Sequence, residues 1–189
     1  MGALVWAVVG TAAAQVDEES DALSLDALFV DVGLAVNTGG SSPGFKAELG
    51  PSIAFVAPPI PEVDVDLSFP FGFGYADLSQ DIAPMPFVAQ TLWVEGAAVV
   101  DGVFAVHRDV HLVAGAGVGL SWSHTTVDQA FIGPQASWSF AFLVRFRGGI
   151  RFRPTDHLWL QAQPLAASIY VASATSALFS FLVGLTYEI

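Results

Sequence analysis

Residues 62–75 read Glu-Val-Asp-Val-Asp-Leu-Ser-Phe-Pro-Phe-Gly-Phe-Gly-Tyr. Every even position is polar or small, and every odd one is apolar: Val63, Val65, Leu67, Phe69, Phe71, Phe73 and Tyr75. Strict alternation is the signature of a strand whose two faces meet different surroundings. Residues 137–153 repeat the pattern with opposite charge. Their even positions carry Trp138, Phe140, Phe142, Val144, Phe146, Ile150 and Phe152, and their odd ones carry Arg145, Arg147, Arg151 and Arg153. At 14 and 17 residues both runs are long, since soluble strands centre on about five or six. A charged face behind an unbroken apolar one predicts a membrane barrel, apolar toward lipid and polar toward its lumen.

Composition agrees. The 189 residues are 53% hydrophobic and only 13% charged, more apolar than a soluble domain of that length. Eighteen acids against six Lys and Arg leave a net charge of -12, which argues against nucleic acid as a partner. With no cysteine, disulfides and thiolate metal sites are excluded. Residues 1–14 have the apolar core and the Ala12-Ala13-Ala14 small-residue site of a secretory signal, although no basic residue precedes the core. Residues 15–26 follow as an acidic, flexible lead. The barrel is expected over 27–189.

Parity along that span predicts eight strands near 27–37, 45–56, 62–75, 88–106, 110–124, 137–153, 157–171 and 176–189. Pro164 marks a bulge or parity slip in the seventh. Parity puts Trp93 and Trp159 on the inward face, which a polar lumen does not explain and a local parity error would. Short connections alternate with longer ones rich in Gly, Pro, Ser and Asp, the pattern of tight periplasmic turns and long outer loops. Two rivals fail. Residues 157–187 carry no charge and would pass for a spanning helix, yet the apolar residues of 179–189 recur every second position. A lipocalin-like soluble barrel needs an apolar interior, and this assignment works only inside out.

Parity sends Lys46, Arg145, Arg147, Arg151 and Arg153 into the lumen, together with Asp31, Glu48, Glu62, Asp64, Asp66, Glu95, Asp101 and Glu188. An eight-stranded barrel is just wide enough for side chains to fill, so these charges are expected to pair. The expected network is Arg145, Arg147, Arg151, Arg153, Lys46, Glu48, Glu62, Asp64, Asp66 and Asp101. Within it Asp64 meets Arg151, Asp66 meets Arg147, Glu62 lies level with Arg153, and Gly115, Gly117 and Gly119 make room for the guanidinium groups. Trp122, Trp138, Phe140, Phe152 and Tyr187 are expected as an aromatic girdle. The turn His107-Arg108-Asp109-Val110-His111 offers metal-ligand types, but a solvated hairpin explains it without a metal. No metal or other cofactor is expected.

The span 27–189 resembles the small eight-stranded outer-membrane barrels, the class of the outer-membrane protein A transmembrane domain and the opacity-type proteins. The resemblance rests on strand parity, the Gly-rich run 114–119, the Arg-Phe-Arg-Pro-Thr-Asp turn at 151–156 and the alternating last strand. It implies an all-β, up-and-down transmembrane barrel with a polar, filled lumen, in the outer membrane of a Gram-negative-type bacterium. It also implies contact with outer-membrane lipids and lipopolysaccharide, and recognition of the last strand by the barrel-assembly machinery, although the family's usual terminal Phe is Ile189 here. The expected role is monomeric and non-enzymatic: envelope integrity, or surface contact through loops near Asn37, at 77–85 and at 125–131, the loops carrying Met85, Phe87, Phe131 and Ile132. Two alternatives stand beside it. One is a narrow channel. The other is a lipid A deacylase using His124, a family with a lipid-facing His and Ser at that level. Its His-x-Ser-Asn pattern is missing from Trp-Ser-His-Thr-Thr-Val here.

Overall fold

A computed structural model describes residues 23–38, 43–55, 63–77, 80–82, 85–129 and 133–189. The described residues form ten strands: β1 (Leu23–Asn37), β2 (Gly44–Phe55), β3 (Val63–Ser68), β4 (Phe71–Asp77), β5 (Gln80–Ile82), β6 (Met85–His107), β7 (Val110–Gln129), β8 (Gly133–Thr155), β9 (Leu158–Val171) and β10 (Thr175–Glu188). All pairings are antiparallel, and β1 pairs with β10 to close the ring. Ten strands make eight staves. β3 and β4 are two halves of one stave, both pairing β2 on one side and β6 on the other, and β5 is a short flap on the start of β6.

The break between β3 and β4 falls at Phe69 and Pro70, where proline has no N–H to give the ladder. Main-chain bonds bridge it, Phe69 N–H donating to the Pro51 carbonyl and Ala97 N–H to that of Pro70. Parity runs straight through: Phe71, Phe73 and Tyr75 are exposed, and Ser68, Pro70, Gly72, Gly74 and Ala76 are buried. At Pro164 parity does slip. Opposite β9, Gly148 pairs with Leu165 and Ile150 with Ala162, so one residue of β9 is extra, and β10 records the same shift. Trp159, Gln161 and Gln163 face inward before this bulge, and Ala166 and Ser168 after it.

Register fixes the geometry. Starting at Phe142 on β8, successive partners are Leu120, Gly96, Phe71, Leu49, Val30, Leu185 and Leu160, and the circuit returns to β8 at Phe152. That ten-residue stagger, at ~3.3 Å per residue and ~4.8 Å between strands, tilts the staves by about 40°, as in membrane barrels. The outer wall is apolar all round, from Val30, Val32 and Leu34 on β1 to Phe179, Phe181, Val183 and Leu185 on β10. On β8 the stretch from Phe142 to Phe152 rises about 25 Å along the axis, the height of an apolar membrane band. No described helix is long and apolar enough to cross a membrane. The fold is a transmembrane up-and-down β-barrel, crossing with strands.

Several boundaries move. β1 begins at Leu23, pairing with Phe55, so residues 23–26 of the expected flexible lead belong to the wall. β7 runs to Gln129 and β8 starts at Gly133, so most of the expected 125–131 loop is paired strand, and Gly133 takes a positive φ of 75° at the turn. The expected signal segment lies outside the described residues, as do Phe131 and Ile132 and the side chains of Met85 and Phe87.

Candidate functional site

The lumen holds the chain's buried charge, arranged in layers between the long-loop end and the short-turn end. Nearest the long loops lies an apolar layer of Ala35, Ala76, Trp93 and Leu178, with Tyr170 against it. Trp93 faces inward because Gly74 opposite it has no side chain; a Cβ there would sit 2.1 Å from the indole ring. The inward tryptophan is thus a lid over the charges below and not an error of parity.

Beneath it Lys46, Glu48, Glu95 and Arg145 form one cluster, all buried. Lys46 Nζ lies 2.9 Å from Glu48 and 2.5 Å from Glu95. Arg145 pairs with both oxygens of Glu48 and lies 3.6 Å from Glu95. The Tyr170 hydroxyl donates to Glu95 at 2.7 Å. Two cations thus face two carboxylates at close range, and the group is neutral as a whole.

A second cluster lies one step along β8. Arg147 forks onto Asp101, with Nε 2.7 Å from Oδ1 and Nη2 on Oδ2. Ser68 accepts from Arg147 at 2.5 Å and donates to Asp101 at 2.8 Å. Asp31, also buried, is held by amide donors, Gln161 at 2.6 Å and Gln163 at 3.0 Å. Arg151 reaches Asp66 and Gln161, both at 3.3 Å. At the short-turn rim Arg153 meets Glu188 at 3.0 Å and lies over the Trp159 ring, 5.2 Å from its centre, while Trp159 Nε1 also donates to Glu188. Fork-shaped, charge-assisted contacts of this kind hold guanidinium groups more firmly than single bonds.

Two expected pairings are corrected. Arg147 meets Asp101 and not Asp66, Asp66 meets Arg151, and Asp64 is exposed at the rim with no ion pair among the described residues. Arg153 takes Glu188 as its partner; Glu62 lies outside the described residues. The cause is the strand stagger, which sets level positions that counting along single strands cannot supply. The glycines of β7 serve a different purpose too. A Cβ on Gly115 would meet Asp101 Oδ1 at 2.0 Å, and Cβ atoms on Gly117 and Gly119 would strike β6 main chain, so they admit β6 and its carboxylate, not the guanidinium groups.

Sequence reading missed Ser68, Gln161, Gln163 and Tyr170 as lumen ligands. Ser68 and the two glutamines sit at inward parity but carry no charge to mark them. Tyr170 turns inward only because of the slip at Pro164.

On the outer wall Trp122, Trp138, Phe140, Phe152 and Tyr187 are all exposed, and Trp122 and Trp138 stack with centres 4.8 Å apart. His124 packs on Trp138 at 4.1 Å. Its cross-strand partners are Leu92 and Trp138, and the next outward residues are Gln90, Val94, Ala136 and Phe140 across the strands and Trp122 and Thr126 on its own, so among the described residues no carboxylate orients its imidazole. At the short-turn end the Asp109 N–H donates to His107 Nδ1 at 3.4 Å, and His111 packs on Trp159 at 4.5 Å. Among the described residues no three His, Asp or Glu side chains converge on a metal position.

No protein-family model matches the chain, and no curated protein matches its sequence. Solved structures do match its fold. A major outer membrane protein of Thermus thermophilus superposes with a TM-score of 0.60 at 12% identity, over 88% of this chain and 100% of that one. Neisserial surface protein A gives 0.57 at 16%, over 89% and 100%. The outer membrane enzyme PagL gives 0.51 at 15%, over 85% and 99%. At these identities the likeness is one of fold.

Proposed function

From a chain with the fold of the small outer-membrane barrels, we propose an integral outer-membrane protein, non-enzymatic, that serves envelope integrity or surface contact with its lumen shut by ion pairs. In this reading the short turns face the periplasm and the long loops face outward, after signal-led export. The last strand is what the assembly machinery reads, and lipid and lipopolysaccharide surround the aromatic residues of the wall.

The observation that carries the closed lumen is the burial of Arg145, Arg147, Lys46, Glu48 and Asp101 in mutual contact across the barrel. An ion moving through would have to separate these pairs, and a separated charge in a dry interior costs several kcal/mol. Planar-bilayer recording of the folded protein tests it: no unitary current is expected, and a steady one would overturn the reading.

A lipid-hydrolysing role for His124 has no support in its surroundings. General-base action needs a nucleophile within hydrogen-bond reach and a group that orients the imidazole. Here the ring lies against Trp138, and among the described residues it makes no side-chain hydrogen bond to a hydroxyl or a carboxylate. Incubation with purified lipid A is expected to release no acyl chain, and a release abolished by His124→Ala would reverse this conclusion.

A further inference from the structure

β8 outgrows one of its neighbours. β9 pairs with it only from Phe142↔Val171 downward, whereas β7 stays paired up to Gln129↔Gly133. Residues 133–141 therefore have a strand on one side and, among the described residues, none on the other. Residues 134–140 are exposed without a break. In an antiparallel ladder alternate residues turn their N–H and C=O away from the partner strand, so this segment presents a row of open donors and acceptors. Such a row is excluded from hydrocarbon, where each unpaired group costs several kcal/mol. The apolar band on β8 thus ends at Phe142, and the free edge rises about 20 Å beyond it.

Exposed edges are ordinarily blunted by Lys, by inward-pointing charge or by an internal proline. Here 135–141 reads Gln-Ala-Ser-Trp-Ser-Phe-Ala, uncharged throughout, with Pro134 only at the tip. Its two faces differ: Ser137 and Ser139 lie beside Thr125 and Ser123, and Trp138 and Phe140 beside His124 and Trp122. No Lys or Arg occurs between Lys46 and Arg108, or between Arg108 and Arg145, so this end of the sheet has no positive side chain. Asp128 is exposed at the tip, paired in register with Pro134.

We propose that residues 133–141 receive an extended segment of another polypeptide by strand addition. Charge complementarity defines that segment. It is uncharged along 135–141, apolar at alternate residues to lie against Trp138 and Phe140, and carries Lys or Arg at its end level with Pro134, to reach over that residue toward Asp128 on β7. A second copy of this chain is disfavoured, because each copy carries a net charge of -12. The proposal deepens the surface-contact reading and rests on the long-loop end facing outward.

The test uses the full chain in lipid nanodiscs and a synthetic peptide of alternating valine and threonine closed by two lysines. Anisotropy titration is expected to show saturable binding. Binding should weaken at least about tenfold when alternate peptide amides are N-methylated, and likewise for the Ser137→Lys/Ser139→Lys protein, whose edge carries the charge that blunts pairing. No binding, or binding indifferent to both changes, overturns the proposal, as does self-association of the chain through the same edge. Labelling of Ser137→Cys in intact cells by a membrane-impermeant maleimide reads the orientation separately. An unlabelled cysteine there would refute the outward placement while leaving the nanodisc result to judge the edge itself.

Discussion

Replacing Arg147 by alanine leaves the Asp101 carboxylate buried with only Ser68 to donate to it. Loss of one partner of a buried pair costs about 3–5 kcal/mol, whereas exchanging both partners for apolar residues is often close to neutral. Urea unfolding in vesicles should therefore place Arg147→Ala well below wild type, with Arg147→Met/Asp101→Leu recovering most of the difference. Equal loss in both proteins would show that the pair itself, and not a stranded charge, is what matters. Gly115 and Gly148 make a second contrast. Gly115→Val drives a side chain into Asp101 Oδ1 and should cost about 1–3 kcal/mol by overpacking. Gly148→Ala meets nothing nearer than 3.8 Å and should stay within about 0.5 kcal/mol of wild type in the same assay. At this scale the sequence discloses a residue's face and not its partner. Arg147 reads as inward from parity alone, but its contact with Asp101 depends on how eight staves are staggered.

Among the elements, β9 states its own register. The extra residue at Pro164 lets Trp159, Gln161 and Gln163 face the lumen below it and Ser168 and Tyr170 above it. Deleting Pro164 would take out the extra residue and leave Gln163 and Ala166 two positions apart, so both halves of β9 would keep their faces. That protein should retain its heat-shifted gel band, whereas deletion of Ala162, which turns Gln161 or Gln163 toward lipid, should lose it, since unsatisfied polar groups there cost several kcal/mol. Equal behaviour of the two deletions would mean that the bulge does not set the register. The irregularity was legible because proline cannot feed a central ladder. The interruption at Pro70 was less so, since parity continues through it and only the hydrogen-bond ladder is broken. The reach of β7 and β8 past Trp122 and Trp138 was hidden for another reason: Ser, Thr, Gly and Pro there resemble a loop until the pairing is known.

For the molecule as a whole, alternation was enough to give the fold because lipid and lumen impose opposite demands on the two faces of every stave. An apolar residue at each outward position and a polar or small one behind it is a pattern that neither a helix nor a soluble barrel shares. The charges between the staves follow from closure, since only a ring brings β2, β6 and β8 together around one axis. Closure rests on the pairing of the first strand with the last. The chain has no cysteine, so an engineered pair reports on that seam without background. Val32 on β1 lies opposite Val183 on β10, both outward, at a separation a disulfide can bridge. Leu182, one residue away, faces the lumen. The account predicts that folded Val32→Cys/Val183→Cys oxidises to an intramolecular cross-link and that Val32→Cys/Leu182→Cys does not. Failure of the first pair to cross-link in folded protein, or equal cross-linking of both, would contradict the closed barrel.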